Sequence, residues 1–203
     1  MKFEETLLKG AWIIDLDPFA DARGYFARAL CANEFHAHGI DPKFVQCNLS
    51  HNHKAGTLRG MHIQNAPAEE SKLIRCIRGA LYDVIIDMRP TSPTYLMHLG
   101  VELTADNKRM LYVPKGFAHG YQALQDDTEA FYMVGEFYTP EYECGFRYND
   151  PIFAIQWPLP VEFISEKDAT WPYLEKNSRY SSLDFKINRS PFTRFAGSDV
   201  RFS

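Results

Sequence analysis

Between residues 72 and 138 the chain is a succession of short apolar runs broken by turn residues, and this rhythm limits the available folds. The runs are KLIRCIRGALYDVIIDMR (72–89), MHLGVELT (97–104), RMLYVP (109–114), GYQALQ (120–125) and EAFYMVGEFY (129–138). They are rich in Val, Ile, Tyr and Phe, have strand-like lengths, and are bounded by turn signals. Arg78-Gly79 before Ala80 predicts a tight turn between paired strands. TADN (104–107) predicts a second turn, and Asp127-Thr128 a third. One helix is expected over 32–38, ANEFHAH, closed by Gly39. Regularly spaced strands with little helix predict an all-β fold, a closed barrel or jelly roll. The 203 residues, 45% hydrophobic and 24% charged, suffice for one sizeable core. No repeat, low-complexity tract or linker divides them, so a single domain over 1–203 is expected.

Two blocks sharpen the barrel. GTLRGMHIQ (56–64) sets His62 six residues after Gly56, and PKGFAH (114–119) is a Pro-x-Gly-x-x-His pattern. The pair resembles the two-part signature of the cupins, small jelly-roll barrels in which each block points a histidine into the barrel mouth. Metal-binding cupins carry His-x-His in the first block; here the second position is Gln64. The barrel signature survives while the metal cage is broken, which points to chemistry carried by side chains.

Composition excludes several function classes. A net charge of -4 gives no general attraction to nucleic acid or to acidic membranes. No apolar run approaches the ~18 residues of a spanning helix. The N-terminal MKFEETLLKGAWIID is charged and amphipathic and has no apolar signal core, so a cytoplasmic location is expected. Cys31, Cys47, Cys76 and Cys144 are scattered without a C-x-x-C pair, favouring neither a zinc site nor a disulfide framework.

The residues suited to chemistry are mostly basic. Arg59, His62 and Lys72 lie close together, and His119 arrives from the second block. Side chains at alternating strand positions share a face. A barrel lined with Arg, Lys and His is costly unless an anion or polar ligand fills it. An anionic small molecule is therefore expected, and a diphosphate would satisfy Arg bidentately. A metal alternative would use His62, Glu69 and His119, but Glu69 lies in NAPAEES, which reads as a mobile polar loop. Tyr132 and Tyr138 are six apart on one strand-like run, an even spacing that puts both on one face. Glu143 and Asp168 are further candidates. Asp168, in ISEKDAT, reads on its own as a helix cap or surface acid; beside a histidine it would fix the tautomer and raise basicity.

The chain resembles the dTDP-4-dehydrorhamnose 3,5-epimerase family. DARGYF (21–26), QCNLS (46–50), GTLRGMHIQ (56–64), KLIRCIRGALYDVIIDMR (72–89), SPTY (92–95), VPKGFAHGYQAL (113–124), NDP (149–151), IQWP (155–158) and SEKD (165–168) stand in the family's order. The match covers a core of about residues 10–173 and leaves a C-terminal extension over 174–203. The resemblance implies a cupin-like jelly roll, a homodimer, a nucleotide-sugar substrate and no metal or other cofactor. It implies His62 as general base, Asp168 as its orienting carboxylate, Tyr132 as general acid across the sugar, and Lys72 as stabiliser of the enolate oxygen. Arg59, Arg23, Gln46, Asn48, His119 and Lys167 would hold the sugar and diphosphate, with Glu143 and Tyr138 near the nucleoside. Phe19 and Arg23 would reach into a neighbouring subunit's site. Ile63 replaces a common aromatic. Ala27-Arg28 replaces a run ending in a nucleotide-contacting glutamate, so Arg28 is expected either to admit another base, such as that of CDP, or to add a phosphate contact.

The chemistry suits these residues independently of the resemblance. Protons at C3 and C5 of a 4-keto sugar are acidified by the carbonyl, and a base near neutral pKa can remove them if the enolate is stabilised. No dinucleotide-binding glycine fingerprint appears. The alternatives are an epimerase acting at C3 or C5 alone, a non-catalytic sugar-nucleotide-binding cupin, and a metal-dependent cupin enzyme.

Overall fold

A computed structural model describes residues 1–174. Apart from Leu174, the expected C-terminal extension lies outside the described residues. The strands are β1 (Lys2–Glu5), β2 (Trp12–Asp15), β3 (Phe19–Asp21), β4 (Gly24–Phe26), β5 (Gln46–Asn52), β6 (Thr57–Gln64) and β7 (Lys72–Arg78). There follow β8 (Ala80–Asp87), β9 (His98–Thr104), β10 (Met110–Val113), β11 (Phe117–Ala123), β12 (Thr128–Val134), β13 (Glu143–Gly145) and β14 (Phe163–Ile164). Two short helices, α1 (Ala32–Ala37) and α2 (Glu166–Thr170), complete the set. No helix among the described residues is long and apolar enough to cross a membrane.

The strands form a cupin-like jelly roll. One sheet runs β1-β2-β10-β7-β12-β5, the other β13-β6-β11-β8-β9 with β14 parallel to β6. Ile74, Cys76, Leu111, Val113 and Ala130 of the first sheet meet Leu81, Ile85, Val101, Leu103, Phe117 and Tyr121 of the second. Each fully buried large aliphatic or aromatic side chain is worth roughly 1.5–3 kcal/mol. Helix α1 covers part of the first sheet's outer face, with Phe35 and Ile40 against Ile14, Leu73 and Met110. Phe146, Phe153 and Ile155 cover the second sheet's outer face against Met61, Ile63, Val84 and Ile86. The strands of the second sheet are thus apolar on both faces, and Ile63 packs into that outer layer.

The predicted turns are present. Gly79 takes φ +73 between β7 and β8, Asp127 takes φ +53 before β12, and Thr104 and Asn107 bond each other's backbone N–H. The expected helix forms, with Gly39 at φ +72 after it. The run 129–138 is shorter as a strand than expected. It leaves the sheet after Val134, where Gly135 donates its N–H to Ser71 O at 2.9 Å. Tyr138 therefore lies beyond the strand, and even spacing does not put it on Tyr132's face.

One close approach aims the site. Opposite the β11 register irregularity between His119 and Tyr121, Gly60 holds φ +119. A Cβ there would lie 2.5 Å from Gly120 Cα and 2.8 Å from His119 O, both backbone atoms with no room to yield. Gly60→Ala is expected to cost at least ~2 kcal/mol, from left-handed strain and overpacking together. Thermal melting should fall by about 4 °C or more for a chain of this size. A melting temperature unchanged within error would contradict this contact's importance.

Candidate active site

Alternation along the strands decides what enters the barrel. On β6, Met61 and Ile63 point outward to the apolar cover, so His62 points inward. On β7, Lys72 shares its parity with the core residues Ile74 and Cys76. On β11, His119 lies between Phe117 and Tyr121, both core residues, and is the direct cross-strand partner of His62. On β12, Tyr132 shares the face of Ala130 and sits opposite Asn48 of β5.

These side chains border a cavity of about 540 Å³ lined by Arg59, His62, Lys72, His119, Tyr132, Lys167 and Asp168, among others. A second cavity of about 300 Å³ is lined by Gln46, Asn48, Glu70, Tyr138 and Glu143, together with His62, Lys72 and Tyr132. The last three residues border both, so two lobes meet at them. The first lobe is rich in cations; the second carries two carboxylates.

His62 and Asp168 form a dyad. His62 Nε2 lies 2.7 Å from Asp168 Oδ1, and Gly60 N–H donates to Asp168 Oδ2 at 3.1 Å. Asp168 is not the cap of its helix: Ser165 is, accepting from Asp168 N at 3.1 Å, and this turns the buried Asp168 carboxylate inward. Burial pushes this carboxyl up, but the hydrogen bond and charge of His62 and the Gly60 N–H more than offset it, leaving it below the usual carboxylate range. The stability it adds is present above the unfolded carboxyl pKa and lost as pH falls through the lower folded value. An ionised Asp168 accepts the Nε2 hydrogen and leaves Nδ1 as the basic nitrogen.

The other groups are held as firmly. Lys72 Nζ pairs with Glu70 Oε1 at 3.1 Å, both largely buried. Burial holds the Tyr132 hydroxyl above its ordinary pKa, with the charges of Tyr121 and Glu70 adding to the effect. His119 Nε2 lies 3.0 Å from both oxygens of Asp83, a fully buried carboxyl whose pKa burial raises against the lowering effect of His119. Arg59 donates from Nε to Asn52 Oδ1 at 2.9 Å and from Nη2 to His51 O at 3.2 Å. In the second lobe Gln46 donates to Asn48 at 2.9 Å. Tyr138 donates to Glu143 Oε2 at 2.7 Å, and Lys167 to Glu143 Oε1 at 2.6 Å. Burial and the Glu143 contact push the Tyr138 hydroxyl up strongly.

Three expected site residues line neither cavity. Phe19 and Arg23 belong to the exposed β3–β4 hairpin; Phe19 is 76% exposed and Arg23 pairs with Asp21. Arg28 donates to Glu34 Oε1 at 2.7 Å, so its charge is already matched within its own segment.

The metal alternative loses its geometry. Glu69 borders neither cavity, and His62, Glu69 and His119 do not converge as a ligand group among the described residues. The loop expected to be mobile is tied down through Gln64, which is 2% exposed. Its Nε2 donates to Ala68 O and Phe137 O, and its Oε1 accepts from Thr139 N. The residue at the lost ligand position is a fully bonded staple that shapes the second lobe. Sequence reasoning missed Asp83 and Glu70. Asp83 carried a signal: an acid in the middle of the apolar run LYDVII, in step with Leu81 and Ile85, needs a buried partner.

The family model for dTDP-4-dehydrorhamnose 3,5-epimerase matches residues 5–176. A dTDP-4-dehydrorhamnose 3,5-epimerase of Methanothermobacter thermautotrophicus is 41% identical over 182 residues, covering 88% of this chain and 97% of that protein. The crystal structure of the Bacillus anthracis dTDP-4-dehydrorhamnose 3,5-epimerase with TDP and PPi bound is 40% identical. It superposes with a TM-score of 0.83 and covers 85% of this chain and 99% of that one. A 3'-monoepimerase from Streptomyces bikiniensis in complex with dTDP-quinovose is 30% identical, with a TM-score of 0.77 over 83% of this chain and 86% of its own. With the barrel, the dyad and a match spanning nearly all described residues in agreement, this chain belongs to the dTDP-4-dehydrorhamnose 3,5-epimerase family.

Proposed function

We propose that the protein inverts both C3 and C5 of a dTDP-linked 4-keto-6-deoxyhexose, by proton removal on one face of the sugar and return on the other. The observation that carries this is the placement of His62 and Tyr132. They rise from opposite sheets, one from β6 and one from β12, and both border the junction of the two lobes. A ring held there has a base on one side and a hydroxyl donor on the other. His62 Nδ1 takes the C3 or C5 proton, with Asp168 stabilising the imidazolium. Lys72 stabilises the enolate oxygen that develops at C4. Tyr132, kept protonated by its burial, delivers a proton to the opposite face.

Arg59, His119 and Lys167 hold the anionic and hydroxyl groups, while Gln46, Asn48, Tyr138 and Glu143 face the nucleoside. The Glu34 ion pair of Arg28 favours the ordinary thymine nucleotide over a CDP-type switch. Phe19 and Arg23, exposed on their hairpin, complete the site of a second copy in a homodimer. All four cysteines are free thiols, which goes with a cytoplasmic location. We assign residues 1–203 to one domain on the two-sheet core.

The 30% identical 3'-monoepimerase gives a single-centre reaction its standing as second reading. Turnover of the dTDP-linked 4-keto-6-deoxyglucose in deuterated water separates the two. Deuterium at both C3 and C5 of the product is expected; deuterium at C3 alone would establish the single-centre enzyme.

A further inference from the structure

Outside the cavity, His51, His53 and Asp127 are the only group of three or more His, Cys, Asp or Glu residues, among those described, whose candidate ligand atoms converge. All lie within 4.8 Å of one another, and all three residues are exposed. The local fold explains this. Ser50 lines the cavity, so its neighbour His51 turns to the outer side of β5. His53, two residues on, stands beside it with ring centroids 4.6 Å apart at 85°. Asp127 sits in the turn before β12 with a left-handed φ of +53, and its N–H donates to His53 O at 3.3 Å, hanging the turn on the end of β5. His51 Nε2 and Asp127 Oδ1 are 3.3 Å apart.

We propose that His51, His53 and Asp127 form a surface site for a divalent transition-metal ion of the zinc class, separate from the sugar-nucleotide cavity. Two imidazoles and one carboxylate suit Zn²⁺, Co²⁺ or Ni²⁺ better than the all-oxygen preference of Mg²⁺ or Ca²⁺. Bonds of 2.0–2.2 Å in a tetrahedron give ligand–ligand edges of about 3.3 Å, the separation His51 and Asp127 already have. The remaining ligand atoms need close by no more than ~1.5 Å, a side-chain adjustment open to exposed residues, and solvent supplies the fourth ligand. The ion takes the place of the direct His51–Asp127 contact. It also clamps the segment that holds Arg59: the His51 carbonyl accepts from Arg59 Nη2, and Asn52, between the two histidines, accepts from Arg59 Nε. The site is a brace for the cavity rim and takes no part in proton transfer.

The test uses untagged full-length protein, stripped with chelator and titrated with Zn²⁺ by calorimetry and with Co²⁺ by visible absorption. One equivalent is expected to bind with a Kd on the order of micromolar, with tetrahedral Co²⁺ bands and a higher melting temperature. His51→Ala and Asp127→Asn should each weaken binding tenfold or more while leaving the metal-free melting temperature unchanged; Asn tolerates the left-handed φ. His62→Ala should bind as the parent does. No saturable binding up to millimolar Zn²⁺ would overturn the proposal, as would binding that survives His51→Ala and Asp127→Asn but is lost in His62→Ala.

Discussion

Replacing His62 by Ala is expected to lower kcat by ~10²-fold or more, the usual contribution of a positioned general base. KM should change little on the proposed assignment, because Arg59 and Lys167, which line the same cavity, remain in place. The variant also strips the buried Asp168 carboxylate of its closest partner, leaving the Gly60 N–H. Part of any loss could therefore be structural, and Asp168→Asn separates the two causes. The amide oxygen still accepts from Gly60, so the barrel should melt near the parent temperature. Its NH₂ group, however, would face His62 Nε2 as a donor. That favours the tautomer with the hydrogen on Nδ1 and removes the lone pair that takes the sugar proton. Asp168→Asn should thus also lose turnover by a large factor while remaining folded. Steady-state kinetics with thermal melting checks both variants. Near-normal turnover in His62→Ala would remove the base from the mechanism.

The barrel was legible because its core strands advertise themselves. Strands such as β8, buried on both faces, carry Leu, Val and Ile on both sides of the strand, interrupted by few polar residues. β5 was not legible as a strand, for a physical reason. QCNLSHN turns Gln46, Asn48 and Ser50 toward the cavity and leaves Leu49 70% exposed outside, which inverts the usual alternation. A strand whose inner face borders a wet cavity carries its polar residues inward, and only pairing with β12 defines it. The short hairpin of β3 and β4 was hidden too, since its side chains are mostly exposed, with Tyr25 under Lys108, and no buried face imposes a pattern. Although Arg59 and His62 are three apart on β6 and reach one cavity only across the irregularity opposite Gly60, the basic set of Arg59, His62, Lys72 and His119 stood out in the sequence. Their acidic partners did not. Asp168 comes from a helix more than a hundred residues away, Asp83 from a strand read as plain core, and Glu70 from a loop read as mobile. Basic residues facing a cavity leave a local pattern, whereas the carboxylates that balance them are set by tertiary packing.

Tyr132→Phe should separate the two halves of the reaction that His62→Ala abolishes together. The substitution removes one oxygen from a side chain whose ring keeps its place in β12, so fold and binding should persist. With the His62–Asp168 dyad and Lys72 intact, proton abstraction and enolate stabilisation remain. What is lost is the donor on the far face. In the parent, burial keeps the Tyr132 hydroxyl protonated well above neutral pH, with the charges of Tyr121 and Glu70 reinforcing it. Without it, the enolate can regain a proton only from the imidazolium on the face it left, or slowly from water. Net inversion should fall by ~10²-fold or more, the scale of a lost general acid. In deuterated water the recovered substrate should nevertheless gain deuterium at the attacked carbon with its configuration retained. Mass spectrometry of recovered substrate and NMR of the sugar ring read the two quantities in one experiment. If exchange and inversion fall together by the same factor, Tyr132 serves the abstraction step or substrate placement, and the far-face donor must be another residue. If exchange survives while inversion is lost, the acid and base stand on opposite sheets as the barrel arranges them.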